Sequence, residues 1–270
     1  MTDPPAISHF RKDLSPRLLG RRVVSIVVGS AQKWFTIHED LICVTPFFRN
    51  LLQPQRKEIE GDCCICHDSL NSDNKELTYC SISCGNNFHL ACVEDYQGAV
   101  PAEDFKCPLC REFLVLPSSW GGAYELPDAD IIAFDVYVQW LYKTPFLNLL
   151  DSNTASLAYV LGEKLEENDF CRDLLYSFAT RYMRAKKCPS ISTVQRVYSK
   201  TKIDSPMRKL LVNMYAELDQ PNLEGGIMNW CDFPPAFQHE LVMALARRRY
   251  GSPAYAWGDV EAGKARLLSW

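Results

Sequence analysis

Seven cysteines and one histidine lie close together in the chain, in four ordered pairs with short spacers. The pairs are Cys63 with Cys66, Cys80 with Cys84, His89 with Cys92, and Cys107 with Cys110. Zn²⁺ in proteins is bound by cysteine sulfur and histidine nitrogen, and a closed structural site takes four such ligands in a tetrahedron. Eight ligands fill two sites with none left over, so the sequence predicts two structural zinc ions.

The order of the pairs predicts a cross-brace, in which alternate pairs share an ion. Zinc 1 would be bound by Cys63, Cys66, His89 and Cys92, and zinc 2 by Cys80, Cys84, Cys107 and Cys110. Cys64 is a neighbour of Cys63, but Cys63 is the one that completes a two-residue spacer with Cys66. The segment is too short and polar to fold by apolar burial alone. Metal binding would supply its folding free energy, about 10–16 kcal/mol per structural zinc in small peptides.

The composition of the 270-residue chain restricts its class. A net charge of -4 argues against a general nucleic-acid binder, which needs a basic face. The apolar runs are shorter than the roughly 20 residues that cross a bilayer, and the N-terminus lacks the pattern of a signal peptide. We therefore expect an intracellular protein, in the cytoplasm or nucleus, with neither a nucleic-acid nor a membrane partner.

Cysteine usage supports the metal-site interpretation. The chain has 12 cysteines, and most of them lie between Cys63 and Cys110. Without a signal peptide, clustered cysteine pairs are typical of metal sites rather than disulfides. The scattered cysteines are expected to be buried free thiols, and they are Cys43, Cys171, Cys188 and Cys231.

The segment from Cys63 to Arg111 resembles the RING-finger family of ubiquitin ligases. The resemblance is carried by Cys63-Cys64-Ile65-Cys66, by the run from Cys80 to Cys92, and by Cys107-Pro108-Leu109-Cys110-Arg111. In one respect the segment departs from the family. Many RING fingers carry a ligand histidine after a Cys-Gly pair, whereas this chain has Asn86 there, and Cys80 completes the ligand count.

The RING resemblance implies a RING-type E3 ubiquitin-protein ligase or a component of one. Such a module binds a ubiquitin-conjugating enzyme and its ubiquitin, and the implied contact residues are Ile65, Tyr96, Pro108 and Arg111. Arg111, directly after the last ligand, would be the linchpin that bonds both partners. The module would orient the reactants and supply no covalent catalytic residue. The resemblance does not identify the protein substrate.

The PHD finger, a histone-tail reader, has the same ligand order and remains an alternative. Phe105, two residues before Cys107, matches the place where PHD fingers carry an aromatic residue. Ile65 and Arg111 favour the RING finger instead. On the alternative interpretation the protein is a non-catalytic adaptor or scaffold, and its zinc module is a PHD-like reader or a protein-binding surface.

Strands and a short helix are predicted before the zinc segment. The β-branched run Val23–Val28 ends at a turn, and Lys33–His38 reads as a second strand, so the two predict a hairpin. The run Pro46–Leu52 predicts a short helix with Phe48, Leu51 and Leu52 on one face.

A strand and several amphipathic helices are predicted after the zinc segment. The strand covers Tyr124–Leu126, and Asp130 is placed to cap the first helix. Further helices are expected over about 155–165, 169–183 and 236–249. The predicted packing faces are Ile131, Phe134, Val138 and Leu141, then Leu157, Val160 and Leu161, and then Leu174, Leu175 and Phe178.

These flanking elements resemble the BTB/POZ domain in the form common among fungal proteins. The resemblance is carried by Phe35–Leu41, Pro46–Arg49, Leu126–Asp128, Phe134, Gln139–Tyr142 and Leu157–Leu165. It implies an α+β fold, a small sheet plus helices, interrupted by the zinc module and followed by a helical C-terminal tail. The interruption is tolerable if the insert is an autonomous unit whose ends lie close together.

The BTB resemblance also implies a domain layout and partners. The first part of the BTB/POZ-like domain would cover 17–56, the zinc finger 60–116, the second part and following helices 117–217, and the C-terminal extension 218–270. This domain would bind a partner or substrate, form a homodimer, or dock on a cullin scaffold.

Overall fold

The computed structural model describes residues 22–71, 75–115, 120–143, 150–185, 187–217 and 229–249. Within these ranges the chain has five strands and nine α-helices, a mixed α+β architecture. It divides into two compact units. One holds the residues up to Val27 and Trp34–Glu125, and the other holds Val28–Lys33 and Leu126–Trp270.

A three-stranded sheet has the order β2-β1-β5, with β1 at Val23–Val28, β2 at Lys33–His38 and β5 at Trp120–Leu126. The first two strands confirm their predicted bounds, whereas β5 begins at residue 120 rather than 124. Strand β1 is buried along almost its whole length, as its β-branched residues allow. Strand β2 alternates, with Phe35 and Ile37 buried, Trp34 and Thr36 exposed, and His38 half-buried.

Two short helices follow the hairpin, α1 at Glu39–Ile42 and α2 at Pro46–Leu52. Pro46 occupies the first turn of α2, where its missing N–H costs nothing. Phe48 and Leu52, four residues apart, share the buried face. The prediction was wrong for Leu51, which is 42% exposed.

The zinc segment contains little regular structure. Strand β3 (Leu77–Tyr79) pairs antiparallel with β4 (Asn87–His89), with Leu77 opposite His89. Helix α3 (Leu90–Ala99) begins directly after His89. A small core of buried residues lies between these elements: Cys63, Leu70, Cys80, Phe88, Val93, Phe105, Cys107 and Leu114.

Six helices make up most of the described part of the second unit. They are α4 (Ile131–Leu141), α5 (Ser152–Lys164), α6 (Asn168–Ala185), α7 (Ile191–Lys200), α8 (Pro206–Glu217) and α9 (Pro235–Arg249). Asp130 caps α4 as predicted, and its carboxylate accepts a hydrogen bond of 2.9 Å from the Ala133 N–H. Helix α5 begins at residue 152 because Asp151 caps it in the same way.

The predicted packing face of α6 is confirmed, because Leu174, Leu175 and Phe178 are all buried. The faces of α4 and α5 were wrong in part. Phe134, Leu141 and Leu161 are buried, but Ile131, Val138, Leu157 and Val160 are only half-buried. The residues buried in their stead are Ala133, Val136, Tyr137, Trp140, Ala155, Ala158 and Tyr159.

Aromatic packing explains the change of face on α4. The Phe170 ring of α6 lies 5.3 Å from the Tyr137 ring and 5.0 Å from the Trp140 ring. The Trp140 indole N–H also donates to Asp173 at 2.8 Å. Helix α4 therefore buries a wider face than one apolar stripe predicts.

Three of the four scattered cysteines are buried, namely Cys43, Cys171 and Cys188. Cys231 is exposed, so the prediction of a buried thiol was wrong there. Burial raises the pKa of the Cys43 and Cys171 thiols, which keeps both protonated and poorly nucleophilic. Neither thiol is therefore suited to covalent catalysis.

No helix in the described part of the chain combines the length and the apolarity that a membrane crossing requires. Of the predicted C-terminal extension, the described residues are those of 229–249.

Candidate metal centre

The first candidate metal site unites the first and third ligand pairs. The ligand atoms of Cys63, Cys66, His89 and Cys92 all lie within 4.8 Å of one another. The Nδ1 atom of His89 is 3.2 Å from the Cys66 sulfur and 3.9 Å from the Cys92 sulfur. Strand β4 and the start of helix α3 position His89 and Cys92, whereas the two other cysteines come from a turn.

The second candidate metal site unites the second and fourth pairs. The sulfur atoms of Cys80, Cys84, Cys107 and Cys110 also lie within 4.8 Å of one another. Cys80 and Cys110 are 3.8 Å apart, and Cys84 and Cys107 are 3.7 Å apart. The structure thus brings together the two predicted sets in cross-brace order.

Both sites fit zinc. Zn–S bonds of about 2.3 Å in a tetrahedron place two sulfur atoms about 3.8 Å apart, which matches the sulfur separations of the second site. Each site offers four ligands and no open coordination position, which is typical of structural rather than catalytic zinc. Two structural zinc ions are therefore compatible with the two sites.

The imidazole of His89 is held from its other side. Its Nε2 atom lies 3.2 Å from the backbone carbonyl oxygen of Ser69. A proton on Nε2 would donate to this carbonyl and leave Nδ1 free for the metal. Such a hydrogen bond fixes the tautomer and the ring orientation of a metal ligand.

The first Cys-x2-Cys pair folds into a tight knuckle. The backbone N–H of Cys63 donates to the carbonyl of Asp68 at 2.9 Å, and the N–H of His67 donates back to the carbonyl of Cys63 at 2.8 Å. These bonds close the turn and direct both sulfur atoms to one side.

The last Cys-x2-Cys pair repeats this knuckle. The N–H of Cys107 donates to the carbonyl of Glu112 at 2.7 Å, and the N–H of Arg111 donates to the carbonyl of Cys107 at 2.9 Å. The residue after each pair has a positive φ, 62° at His67 and 64° at Arg111. The same local spacing has therefore produced the same backbone twice.

The cysteine thiols have different environments. Burial raises the pKa of Cys92 and of Cys107 to about 12. A hydrogen bond from the backbone N–H of Glu112 lowers the pKa of Cys110 to about 6. Zinc binds thiolates, so binding displaces protons from the buried thiols and weakens as the pH falls.

The other predicted site residues lie around the two metal sites. Ile65 and Tyr96 are half-buried against the small core, and the Tyr96 ring lies 5.6 Å from the ring of Phe105. Pro108 and Arg111 are exposed. The Arg111 guanidinium forms no hydrogen bond or ion pair with the part of the chain that the structure describes.

Residues near the ligands that were considered as alternatives lie outside both sites. Cys64 is half-buried and belongs to neither four-residue set. His67 is exposed. Asn86, which stands where many RING fingers have a histidine ligand, accepts a hydrogen bond of 3.2 Å from Lys57.

Sequence reasoning missed two features of this region. Leu109 and Phe113, in and just after the second knuckle, are 51% and 56% exposed. Arg56, which precedes the zinc segment, contacts Asn87 beside the ligand His89. Leu109, an apolar residue within the last knuckle, was a sequence signal for the exposed apolar side chains. No local pattern indicated the contact between Arg56 and Asn87.

The comparisons with known proteins agree with a zinc module of this kind. The chain is 35% identical over 63 residues to the human E3 ubiquitin-protein ligase ZSWIM2, and 38% identical over 64 residues to the mouse protein of that name. Each match covers 22% of this chain and 10% of the relative. No family model and no solved structure matches. The similarity and the two cysteine-rich sites together support a ubiquitin ligase-like zinc module.

Proposed function

We propose that the protein is a RING-type E3 ubiquitin-protein ligase, or a component of one. The observation that carries the proposal is the pair of closed four-ligand sites in cross-brace order, in a chain similar over part of its length to E3 ligases. Because the chain spans only 10% of the length of those relatives, its activity as a whole is inferred from the module.

The proposed docking surface for a ubiquitin-conjugating enzyme includes Ile65, Tyr96 and Pro108. Ile65 and Pro108 each lie inside a knuckle, one at each metal site. Tyr96 lies on helix α3, which begins directly after the predicted ligand His89. Zinc would hold these three side chains in fixed positions, so that little entropy is lost when the partner binds.

Arg111 is the proposed linchpin between the conjugating enzyme and its ubiquitin. Its positive φ is set by the knuckle, and its guanidinium is exposed. A planar fork of donors can bond two acceptors at once. The module would hold the two partners in one reactive orientation, and the reacting thioester and amine would come from the partners themselves.

We further propose that the elements flanking the zinc segment form a BTB/POZ-like platform. Its parts would be 17–56 and 117–217, with the zinc finger at 60–116 and an extension at 218–270. The hairpin before the insert and the helices after it support this proposal. The platform would bind a substrate, a second copy of the chain or a cullin scaffold, in the cytoplasm or nucleus.

The test is the discharge of ubiquitin from a panel of loaded conjugating enzymes to free lysine. The zinc-replete protein should accelerate discharge, and Ile65→Ala and Arg111→Ala should each lose most of that acceleration. For Arg111→Ala, the lost charge-assisted hydrogen bonds are worth about 1.5–3 kcal/mol, which corresponds to a rate of discharge that is roughly ten- to a hundredfold lower. His67→Ala is the matched control, because His67 holds the equivalent position in the other knuckle.

The alternative is a non-catalytic adaptor with a PHD-like reader. The burial of Phe105 in the small core, with its ring against Tyr96, favours this reading, because that aromatic residue fits a PHD finger. Binding of histone-tail peptides, with no discharge from any conjugating enzyme, would establish the alternative and overturn the ligase proposal.

A further inference from the structure

The side chain of Arg56 joins the zinc module to the helices that precede it. Its Nε–H donates to the side-chain oxygen of Asn87 at 2.8 Å, in strand β4 of the zinc module. One terminal nitrogen donates to Asp40 of helix α1 at 3.0 Å and to Gln53 at 3.2 Å. The guanidinium also lies over the ring of Tyr79, 5.1 Å from its centroid.

Burial makes these contacts strong. The Arg56 side chain is only 8% exposed, and Asp40 accepts from it as an ion pair. A guanidinium that is shielded from water loses far more by breaking such bonds than an exposed one does. We name the set Asp40, Gln53, Arg56, Tyr79 and Asn87 the Arg56 network.

Asn87 completes the connection from the side of the module. It is buried, and its amide nitrogen donates to the backbone carbonyls of Lys57 at 3.1 Å and Glu58 at 3.2 Å. Its oxygen accepts from Arg56, so both ends of the amide bind the linker between α2 and the module. Asn87 lies two residues before the metal ligand His89, and Tyr79 lies directly before the ligand Cys80.

Gly85 allows the backbones to meet beside this network. The N–H of Lys57 donates to the Gly85 carbonyl at 2.9 Å. A Cβ atom at Gly85 would lie 1.7 Å from the carbonyl oxygen of Gln55, and the φ of Gly85 is +68°. Any other residue there would push the linker away from the module.

The linker is therefore bound along its length to the module that it introduces, which a freely hinged insert would not require. We infer that Arg56 is a positioning residue, which holds the zinc module in one orientation relative to helices α1 and α2. The consequence of this role for ubiquitin transfer rests on the proposed ligase function. A fixed orientation would determine which lysines on a bound protein come within range of the ubiquitin donor.

The first measurement is the distance distribution between two labels in the full zinc-loaded chain. The labels are attached through non-cysteine chemistry at Asn50 on α2 and Gln97 on α3, both exposed. One narrow distribution is expected for the unaltered protein, and Arg56→Ala should broaden it. Arg56→Lys retains the charge but lacks the second nitrogen that bonds Asn87, so it should broaden the distribution less.

Two matched pairs of variants separate the role of the Arg56 network from the general effects of losing a cation or substituting a glycine. Arg49→Ala removes another cation of the same region, whose ion pair with Glu58 is 3.0 Å long but exposed at 34% and 72% of the two side chains. It should leave the distribution narrow, because exposed pairs contribute little. Gly85→Ala should broaden the distribution. Gly61→Ala should not, since Gly61 has a similar φ of +72° with open space around it.

The second measurement asks whether the orientation affects ubiquitin transfer. The acceptors are the protein's own lysines, mapped by mass spectrometry, and the comparison is discharge to free lysine. In Arg56→Ala the rate of discharge should be unchanged, while the modified lysines should be redistributed. A variant that merely misfolds would lose discharge to free lysine as well as modification of its own lysines. A lower zinc content would reveal such a loss of fold.

The outcomes distinguish the two proposals. A narrow distance distribution in zinc-replete Arg56→Ala would overturn the positioning role, and an unchanged pattern of modified lysines would overturn its consequence for lysine selection. Absence of discharge by the unaltered protein with every conjugating enzyme would overturn the proposed function. The consequence for lysine selection depends on that function and would be overturned as well. The distance measurement would still decide whether Arg56 orients the module.

Discussion

The zinc module and the helices α4–α9 keep their folds by different means. The buried core of the module is small, and three of its members are the ligand cysteines Cys63, Cys80 and Cys107. Its two strands have three residues each. The helices instead bury large side chains completely, among them Phe134, Tyr137, Tyr159, Phe170 and Phe237.

This contrast shows two solutions to the same entropic cost. Ordering a residue costs about 1–2 kcal/mol in backbone entropy alone, and a few buried side chains cannot offset that cost over the whole zinc segment. Metal–ligand bonds, which cross-link distant parts of the segment, supply the stabilisation that these few buried side chains cannot. The helices need no such bonds, because close packing of aromatic and aliphatic side chains is sufficient.

Metal removal should have the largest effect. With a strong chelator, amide protection in β3, β4 and α3 should be lost, because each structural zinc contributes about 10–16 kcal/mol in small peptides. Helices α4–α9 should retain their protection. Hydrogen exchange read by mass spectrometry makes the comparison, and amides of β3 and β4 that stay protected in metal-free protein would contradict it.

Removing one ligand should separate the two metal sites. Cys80→Ser should lower the bound zinc from two ions to one, because a buried ligand of the second site is lost. Cys64→Ser is the matched control and should keep both ions. Native mass spectrometry counts them, and zinc loss in Cys64→Ser would show that Cys64 rather than Cys63 is a ligand.

A truncation in the helical core should destabilise the helices and leave the zinc content unchanged. Phe170→Ala should lower the free energy of unfolding of the helices by about 3–5 kcal/mol, because a fully buried ring packed on Tyr137 and Trp140 is removed. The zinc content should remain two ions. Urea unfolding followed by circular dichroism measures the change.

A control for the core truncation lies on the surface of the same unit. Ile203 is 84% exposed, so Ile203→Ala should change the free energy of unfolding by no more than about 0.5 kcal/mol. Equal effects of the two substitutions would show that packing around Phe170 does not stabilise the helices.

Loss of a helix cap should have the smallest effect. Asp130→Ala removes the bond to the Ala133 N–H at the start of α4 and should cost about 1 kcal/mol. Asp130→Asn keeps an acceptor at that place and should cost less. Thermal unfolding measures both variants, and an equal loss would mean that the carboxylate charge, and not the acceptor, stabilises the helix.

Local patterns were sufficient to predict the two clusters of candidate ligands, the first two strands and the start of α4. A Cys-x2-Cys pair closes through hydrogen bonds within six residues, as at Cys63–Asp68 and Cys107–Glu112. Helices α7 and α8 were not anticipated, although Ser190 accepts a capping bond from Thr193 at the start of α7. That serine was a usable signal.

The packing faces of α4 and α5 could not be read from spacing alone. An apolar stripe shows which residues can be buried, but the neighbouring helices decide which are. Tyr137 and Trp140 are buried because their rings pack against the ring of Phe170. Cys231 shows the converse, since a residue type that is usually buried lies exposed in a short 3₁₀-helix.

The sequence by itself determined which side chains could bind zinc and in what order, because ligand type and short spacers set the geometry of each pair. Tertiary structure decided how the zinc module is attached. Arg56 and Asn87 are 31 positions apart, and Gly85 meets Gln55 across the same contact. No local pattern encodes such pairs, because their energy arises when the folded chain brings them together and excludes water from between them.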